Sequence, residues 1–335
     1  MPEFLRQILE ALKSLWTSGR ERVAQASGAD IRDTLNRAMP WLVASVLFVF
    51  IVYYPLGMLV FNEIDDDLDV APAAQFSVGG GSQAVAIAAT ITTREADRWI
   101  ANKPFWHPSA PLDNTPNYQL GIMYAVSRFA LELGDHLGRV RGSSAIDENV
   151  DRAAGLLKYD GTVWYWGQGN IWPDAKAETQ YRRGVEALML YNRDLAAGKA
   201  TYERRADNLI VLLDRIASDL GSASAVLDER VAAAGGHFDR KADDVFFNVK
   251  GKMYGYAVIL NAVGQDFSMV IEDRRSGEIW TQMLTSLRTG ASMDPLIVIN
   301  GEQDSTLSPS HLATLGFHLL RARTQLRELV DTIQK

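Results

Sequence analysis

Residues able to do chemistry crowd into two stretches of this chain, NKPFWHPSAPLDNTPNYQLG (from Asn102) and DGTVWYWGQGNIWPD (from Asp160). Together with Trp99 just before the first, they hold Phe105, Trp106, His107, Trp164, Tyr165, Trp166 and Trp172, with glycines and prolines between the rings. Flat indole faces beside amides and hydroxyls suit a sugar or a peptide. This makes Trp106, His107, Trp164, Trp166 and Trp172 the candidate ligand-binding residues. The competing reading is structural: a loop folded over helix ends uses Trp as a large lid whose N–H finds a carbonyl. The lid is the favoured of the two, because a domain of this size needs large apolar groups to close its helix ends.

Other constellations are weaker. His107, His136, His237, His311 and His318 are scattered and form no HExxH pair. His237 with Asp239, Asp243 and Asp244 could hold a metal, but spaced acids at a turn are more often a solvated surface. No serine sits in a G-x-S-x-G context, and there is no phosphate loop. Glu178 with Arg182 and Arg183 reads as a charge pair along a helix. Arg128, inside an apolar helical pattern, needs a carboxylate such as Glu132 or one from a neighbouring helix. Arg204, Arg205, Asp207 and Asn208 form a second polar knot. No catalytic residue, cofactor or metal site is assigned, and a non-enzymatic role is expected. The chain has no cysteine, which removes disulfides, thiol nucleophiles and Cys-ligated metals. A formal net charge of -7 gives no global attraction to nucleic acid, which is not expected as a partner.

The elements that would position these groups read as helices. No charged residue occurs between Arg37 and Glu63, and WLVASVLFVFIVYYPLGMLVF, Trp41 to Phe61, is long enough as a helix to cover about 30 Å of hydrocarbon. Residues 38–62 are therefore the expected transmembrane helix, with Pro55 and Gly57 permitting a kink. Before it stand Arg6, Lys13, Arg20, Arg22, Arg32 and Arg37; after it no Lys or Arg occurs until Arg94. The positive-inside rule then puts the N-terminus in the cytoplasm and the bulk of the chain in an exported compartment, the periplasm of a Gram-negative cell. Residues 1–37 form a cytoplasmic arm whose first part, Phe4 to Trp16, has the period of an amphipathic helix. Residues 63–82, acidic and then glycine-rich, read as an extended linker whose work is spacing.

Residues 83–335 read as one mainly α-helical, bundle-like domain. Helices are expected over Ala84–Ile100, with Thr92 or Thr93 as a cap, and from Thr115 or Asn117 to Leu137, breaking at Gly138. A further helix is capped at Ser143 or Ser144 and ends near Lys158. Ala175–Ala197 and Tyr202–Leu220, joined through Gly198, look like an αα hairpin, followed by a shorter piece over Asp219–Ala234. Residues 240–270 can be read as strands or as one helix, and helix is preferred. Glu278–Thr289 and Ser310–Ile333 complete the set.

The runs LDNTPNYQLGIMYAVSRFALELGDHLGRVRGSS and YRRGVEALMLYNRDLAAGKATYERRADNLIVLLDRIASDLGSASA resemble the DUF2333-like family of uncharacterised proteobacterial membrane-anchored proteins. The resemblance spans most of the chain after the membrane helix. It implies a single-pass inner-membrane protein and carries no catalytic residue to any position here. The leading functional expectation is a membrane-anchored periplasmic interaction or scaffold protein of the cell envelope. Its partners would be the lipid bilayer and another envelope or membrane protein, a second copy of the chain being one candidate. The alternatives are binding or processing of peptidoglycan or another glycan through the aromatic loops, and a lipid-binding transport accessory.

Overall fold

The computed structural model describes residues 28–138, 146–165, 175–233, 239–301 and 309–335. The chain divides into two compact units, Met1–Leu59 and Val60–Lys335. In the first, α1 (Gly28–Phe48) runs through a widened turn, Val49–Tyr53, into α2 (Tyr54–Phe61), which crosses into the second unit. In that turn the Tyr54 N–H reaches the Val49 carbonyl, one residue farther back than in an α-helix. The cause lies at Pro55, whose ring crowds the preceding turn and which has no N–H to return to it. The proline is thus accommodated by a π-type turn just before it. Asn36–Phe61 is a stretch of 26 residues whose most apolar 18-residue window has mean hydropathy 2.3, consistent with a single membrane span.

The second unit is a bundle of helices, and no strand occurs among the described residues apart from one isolated bridge between Asn300 and Ser310. Its helices are α3 (Gln83–Asp97), α4 (Asn114–Glu132, extended by a π turn Leu133–Leu137), α5 (Glu148–Leu157), α6 (Ala177–Ala196) and α7 (Ala206–Ala232). They continue with α8 (Arg240–Asp266), the short α9 (Ser268–Asp273), α10 (Gly277–Ala291) and α11 (His311–Gln334). α8 is the axis. It packs on α3 and α4 on one side and on α10 on another, and α7 pairs with α11 and α11 with α10. Its side chains are buried on almost every face, including Phe246, Tyr254, Tyr256 and Leu260. A helix surrounded in this way loses the one-sided stripe that separates helix from strand in a sequence. α4 and α8 approach so closely that a Cβ at Gly121 would lie 2.2 Å from the Asn248 carbonyl oxygen, and one at Gly251 2.1 Å from that of Tyr118. Only glycine fits at either point.

Helix ends show where local reading succeeds and where it fails. Ser82 caps α3, its Oγ accepting from the Val85 N–H, while Asp266 at the far end of α8 accepts from the Gln83 and Ala84 N–H groups at 2.9 and 3.1 Å. Thr92 and Thr93 are not caps; both hydroxyls donate to carbonyls one turn back, Ala88 and Ala89, inside α3. Asp147 caps α5, whereas Ser143 and Ser144 lie outside the described residues. Gly198 does turn the chain, at φ 70°, but α6 and α7 do not form a hairpin. Tyr202, buried in the connection, helps draw the chain across the bundle, so α6 packs on α3 and α5 while α7 pairs with α11. The piece over Asp219–Ala234 is the second half of α7, not a separate helix.

The segment expected to be a spacer is a docked strap. Leaving Phe61, three of its aspartates meet cations of the bundle: Asp65 with Arg94 at 3.2 Å, Asp66 with Lys250 at 2.8 Å, and Asp69 with Arg288 at 2.5 Å. Tyr118 and Tyr254 donate their hydroxyls to the Asp65 and Asp67 carbonyls, and Ile64, Leu68 and Val70 pack against the core. Lys250 is 0% exposed, so Asp66 supplies the counter-charge that a buried ammonium requires.

Candidate functional site

Four of the sequence-nominated rings come together at the surface. Phe105 and Trp106 meet edge to face with centroids 5.0 Å apart, Trp106 and Trp164 at 5.4 Å, and Trp164 and Tyr165 at 5.0 Å. Lys176, just before α6, lays its ammonium 4.4 Å from the centre of the Tyr165 ring and 5.9 Å from that of Trp164. Trp166 and Trp172 lie outside the described residues.

The lid expectation divides within the cluster. Trp99 is a lid of that kind: buried, its indole N–H donates to the Gly161 carbonyl at 3.0 Å, and its ring stands edge-on to Tyr181. Trp106 is 54% exposed and Phe105 77%, which a lid over the core would not be. The loop that carries them holds itself in shape, through a run of tight turns in which the N–H groups of His107, Ala110 and Leu112 reach the carbonyls of Pro104, His107 and Ser109.

His107 joins this strip to the exit of the apolar helix. Its ring lies 5.0 Å from that of Phe61, and nearby Thr115 donates to the Asn62 side chain at 3.0 Å. Between them opens a cleft of about 360 Å³ lined by Val60, Phe61, Arg98, Lys103, His107 and Thr115, among others. His107 Nδ1 stands 2.7 Å from the Ser109 hydroxyl, but it also accepts the Ser109 backbone N–H at 3.2 Å. Ser109 is buried, so the pair stabilises a turn and presents no accessible nucleophile. Burial, with Lys103 adding to it, holds the His107 ring below its usual range and favours the neutral form.

The acids near the cleft are engaged in pairs. Glu178 is taken by the Asn102 amide at 2.6 Å and by Lys103 at 3.4 Å, not by Arg182, which instead meets Asp97 at 3.2 Å. Burial alone would raise Glu178; the Asn102 hydrogen bond, a backbone N–H and Lys103 bring it below the ordinary carboxylate range. Arg128 is held by Asp219 of α7 through two bonds of 2.7 and 3.0 Å, with Glu132 farther off at 3.8 Å. Tyr124 and Tyr256 also donate to Asp219, so this knot binds α4, α7 and α8 together. Arg205 pairs with Asp207 at an exposed surface.

Asn62, Ile64 and Asp66 line a second cleft, of about 330 Å³, with Asn114, Phe247, Asp294, Pro295 and Leu296. Leu296 is fully exposed and Ile297 61% exposed. Beside them Asp243 is pushed up to about 6 by burial and by Asp113 and Asp244. Asp239 is drawn away from any metal role by Arg230, with which it pairs, and by capping α8 through Ala242. No group of three or more metal-ligating side chains occurs among the described residues, and His237 lies outside them.

Sequence reasoning missed the strap pairs and the 294–297 loop. A lysine amid the apolar residues of α8 and the apolar LIVI run inside a turn-rich connection were the available signals. The family described as an uncharacterized protein conserved in bacteria, DUF2333, matches residues 39–241, more than half of the chain, and the chain belongs to it. The match takes in most of the apolar helix, the strap and the aromatic loop, and stops at the start of α8. No curated protein and no solved structure matches the chain.

Proposed function

We propose that this member of the DUF2333 family is a single-pass inner-membrane protein of the bacterial envelope. Its N-terminus is cytoplasmic, and its helical bundle works in the periplasm as an interaction or scaffold module. The observation that carries the reading is the apolar stretch Asn36–Phe61 running straight into a strap that is ion-paired to the bundle. Such a connection gives the bundle a docked segment of its own directly after the apolar stretch in place of a free tether. Orientation follows from the Lys and Arg residues that precede the helix and are missing after it until Arg94. A scaffold role is supported by the way the bundle uses its ionisable groups: Arg94, Arg128, Glu178 and Lys250 are each spent on a partner inside the fold. The exposed rings of Phe105 and Trp106 favour glycan binding as the second reading.

A reporter fused after Lys335 should be active only in the exported compartment, and a cytoplasmic signal there would overturn the topology. Cross-linking in intact membranes followed by mass spectrometry should give a discrete adduct of the bundle with another envelope protein or with a second copy. Turnover of peptidoglycan by the purified full chain, without such an adduct, would replace the scaffold reading by the glycan one.

A further inference from the structure

Some of the bundle's exposed large apolar groups gather in a way that the scaffold reading does not use. Single exposed apolar residues are ordinary on any protein, but a set gathered around one landmark is not. Here the landmark is the end of the apolar helix at Phe61. The aromatic loop, tied to Phe61 through His107, raises Phe105 and Trp106. The loop after Asp294, which shares a cleft with Asn62, raises Leu296 and Ile297.

The two loops come from parts of the chain almost two hundred residues apart and have no sequence likeness, yet both adjoin the same exit. Both are held in place. The first is held by its own tight turns and by the contact of His107 with Phe61, the second by Asp294, which reaches Lys250 at 3.8 Å beside its main partner Asp66 in the strap. The same buried lysine therefore fixes the strap and the loop that carries Leu296. The Trp164–Tyr165 edge of the strip adds aromatic rings with a lysine laid over them, the chemistry favoured where hydrocarbon gives way to headgroups.

We propose that these two loops form a second, peripheral contact with the lipid bilayer. Phe105 and Trp106 of the loop against Phe61, and Leu296 and Ile297 of the loop beside Asn62, dip into the headgroup and upper acyl region of the leaflet from which the helix emerges. The inference rests on the membrane-anchored reading, because only a helix that spans the bilayer brings its surface to Phe61. The contact is driven by apolar burial rather than by charge, since Asp113, Asp243 and Asp244 stand beside the second loop and would repel anionic headgroups.

The absence of cysteine makes a direct test available. Single-cysteine variants of the full chain, Phe105→Cys, Leu296→Cys, Phe50→Cys and Met269→Cys, are spin-labelled and reconstituted into phosphatidylethanolamine/phosphatidylglycerol vesicles. Label depth is then read by collision with oxygen against a water-soluble nickel chelate. Phe50 lies within the apolar helix, and Met269, 71% exposed between α8 and α10, is the aqueous control. The expected result is an oxygen-to-nickel ratio at 105 and at 296 several-fold above that at 269, approaching the value at 50 and unchanged by high salt. Low ratios at 105 and 296 with a high ratio at 50 would overturn the two-loop contact and leave the anchor standing. A low ratio at 50 would remove the anchor and this inference with it. Immersion of one loop alone, or protection of both labels from both reagents as a protein partner would cause, also overturns it. So does loss of immersion at 105 on adding soluble peptidoglycan fragments, which would give the rings to a glycan.

Discussion

The acidic strap and the aromatic loop lie beside the same residues, Phe61 and Asn62, and their side chains do opposite things. Asp65, Asp66 and Asp69 turn toward the bundle and are met there by Arg94, Lys250 and Arg288, while Phe105 and Trp106 turn outward. Residue type alone would have assigned the two roles the other way round. What decides is what each segment finds when it folds. The strap meets cations already set in helices, one of them fully buried, so docking satisfies charges that would be costly to leave alone. The loop satisfies its own backbone in successive turns and gains nothing from the core that Trp99 has not already closed.

The comparison is sharpened most by replacing the two tryptophans that differ. Trp99→Ala should cost about 3 to 5 kcal/mol, the usual penalty for deleting a buried large aromatic, and Trp106→Ala less than about 1 kcal/mol. Urea melts of the full chain in detergent measure both, and equal losses would show that the loop is packed after all. Next in size is Asp66→Ala, expected to cost about 3 kcal/mol because it leaves Lys250 buried with only the longer contact to Asp294. A loss near zero in the same melts would return the strap to the status of a spacer. The smallest effect belongs to the acids beside Leu296, which, unlike those of the strap, crowd together. Asp243 is raised from 3.8 unfolded to about 6 folded, so folding takes up a proton between about pH 4 and pH 6. Stability from this site falls as pH rises through that window and stays at the lower level above it. Asp243→Asn should therefore raise stability above about pH 6 by at most about 1 kcal/mol, after allowance for solvent screening of a half-exposed group, and leave it unchanged near pH 4. A gain that persists at pH 4 would mean that crowding of charge is not the cause.

Much of this fold was legible because helix periodicity and caps are local. Ser310 and the apolar repeat after it mark α11 in the sequence as clearly as in space. α8 was ambiguous for a physical reason: a helix buried on all sides has no polar stripe to reveal its period. The strap was opaque because its meaning resides in Arg94, Lys250 and Arg288, which the chain brings to it from far along the sequence. The candidate site was half legible. The grouping of Trp106 and Trp164 followed from their setting in loops, but which tryptophan is buried depends on Gly161 offering its carbonyl to Trp99 and not to Trp106.

The widened turn at Val49–Tyr53 has a consequence for any helix that lies alongside. Each residue advances an α-helix by about 100°, and a π turn adds one residue without adding a turn. Side chains beyond Tyr54 are therefore rotated by roughly that angle from the stripe they would continue in a straight helix. A second helix lying alongside can follow a heptad seam over Trp41–Phe48 or one over Tyr54–Phe61, but a single unbroken seam cannot serve both without a stutter of its own. The apolar helix offers two half-length faces for association, pointing in different directions. A scan for helix pairing should show its periodicity restart at Pro55.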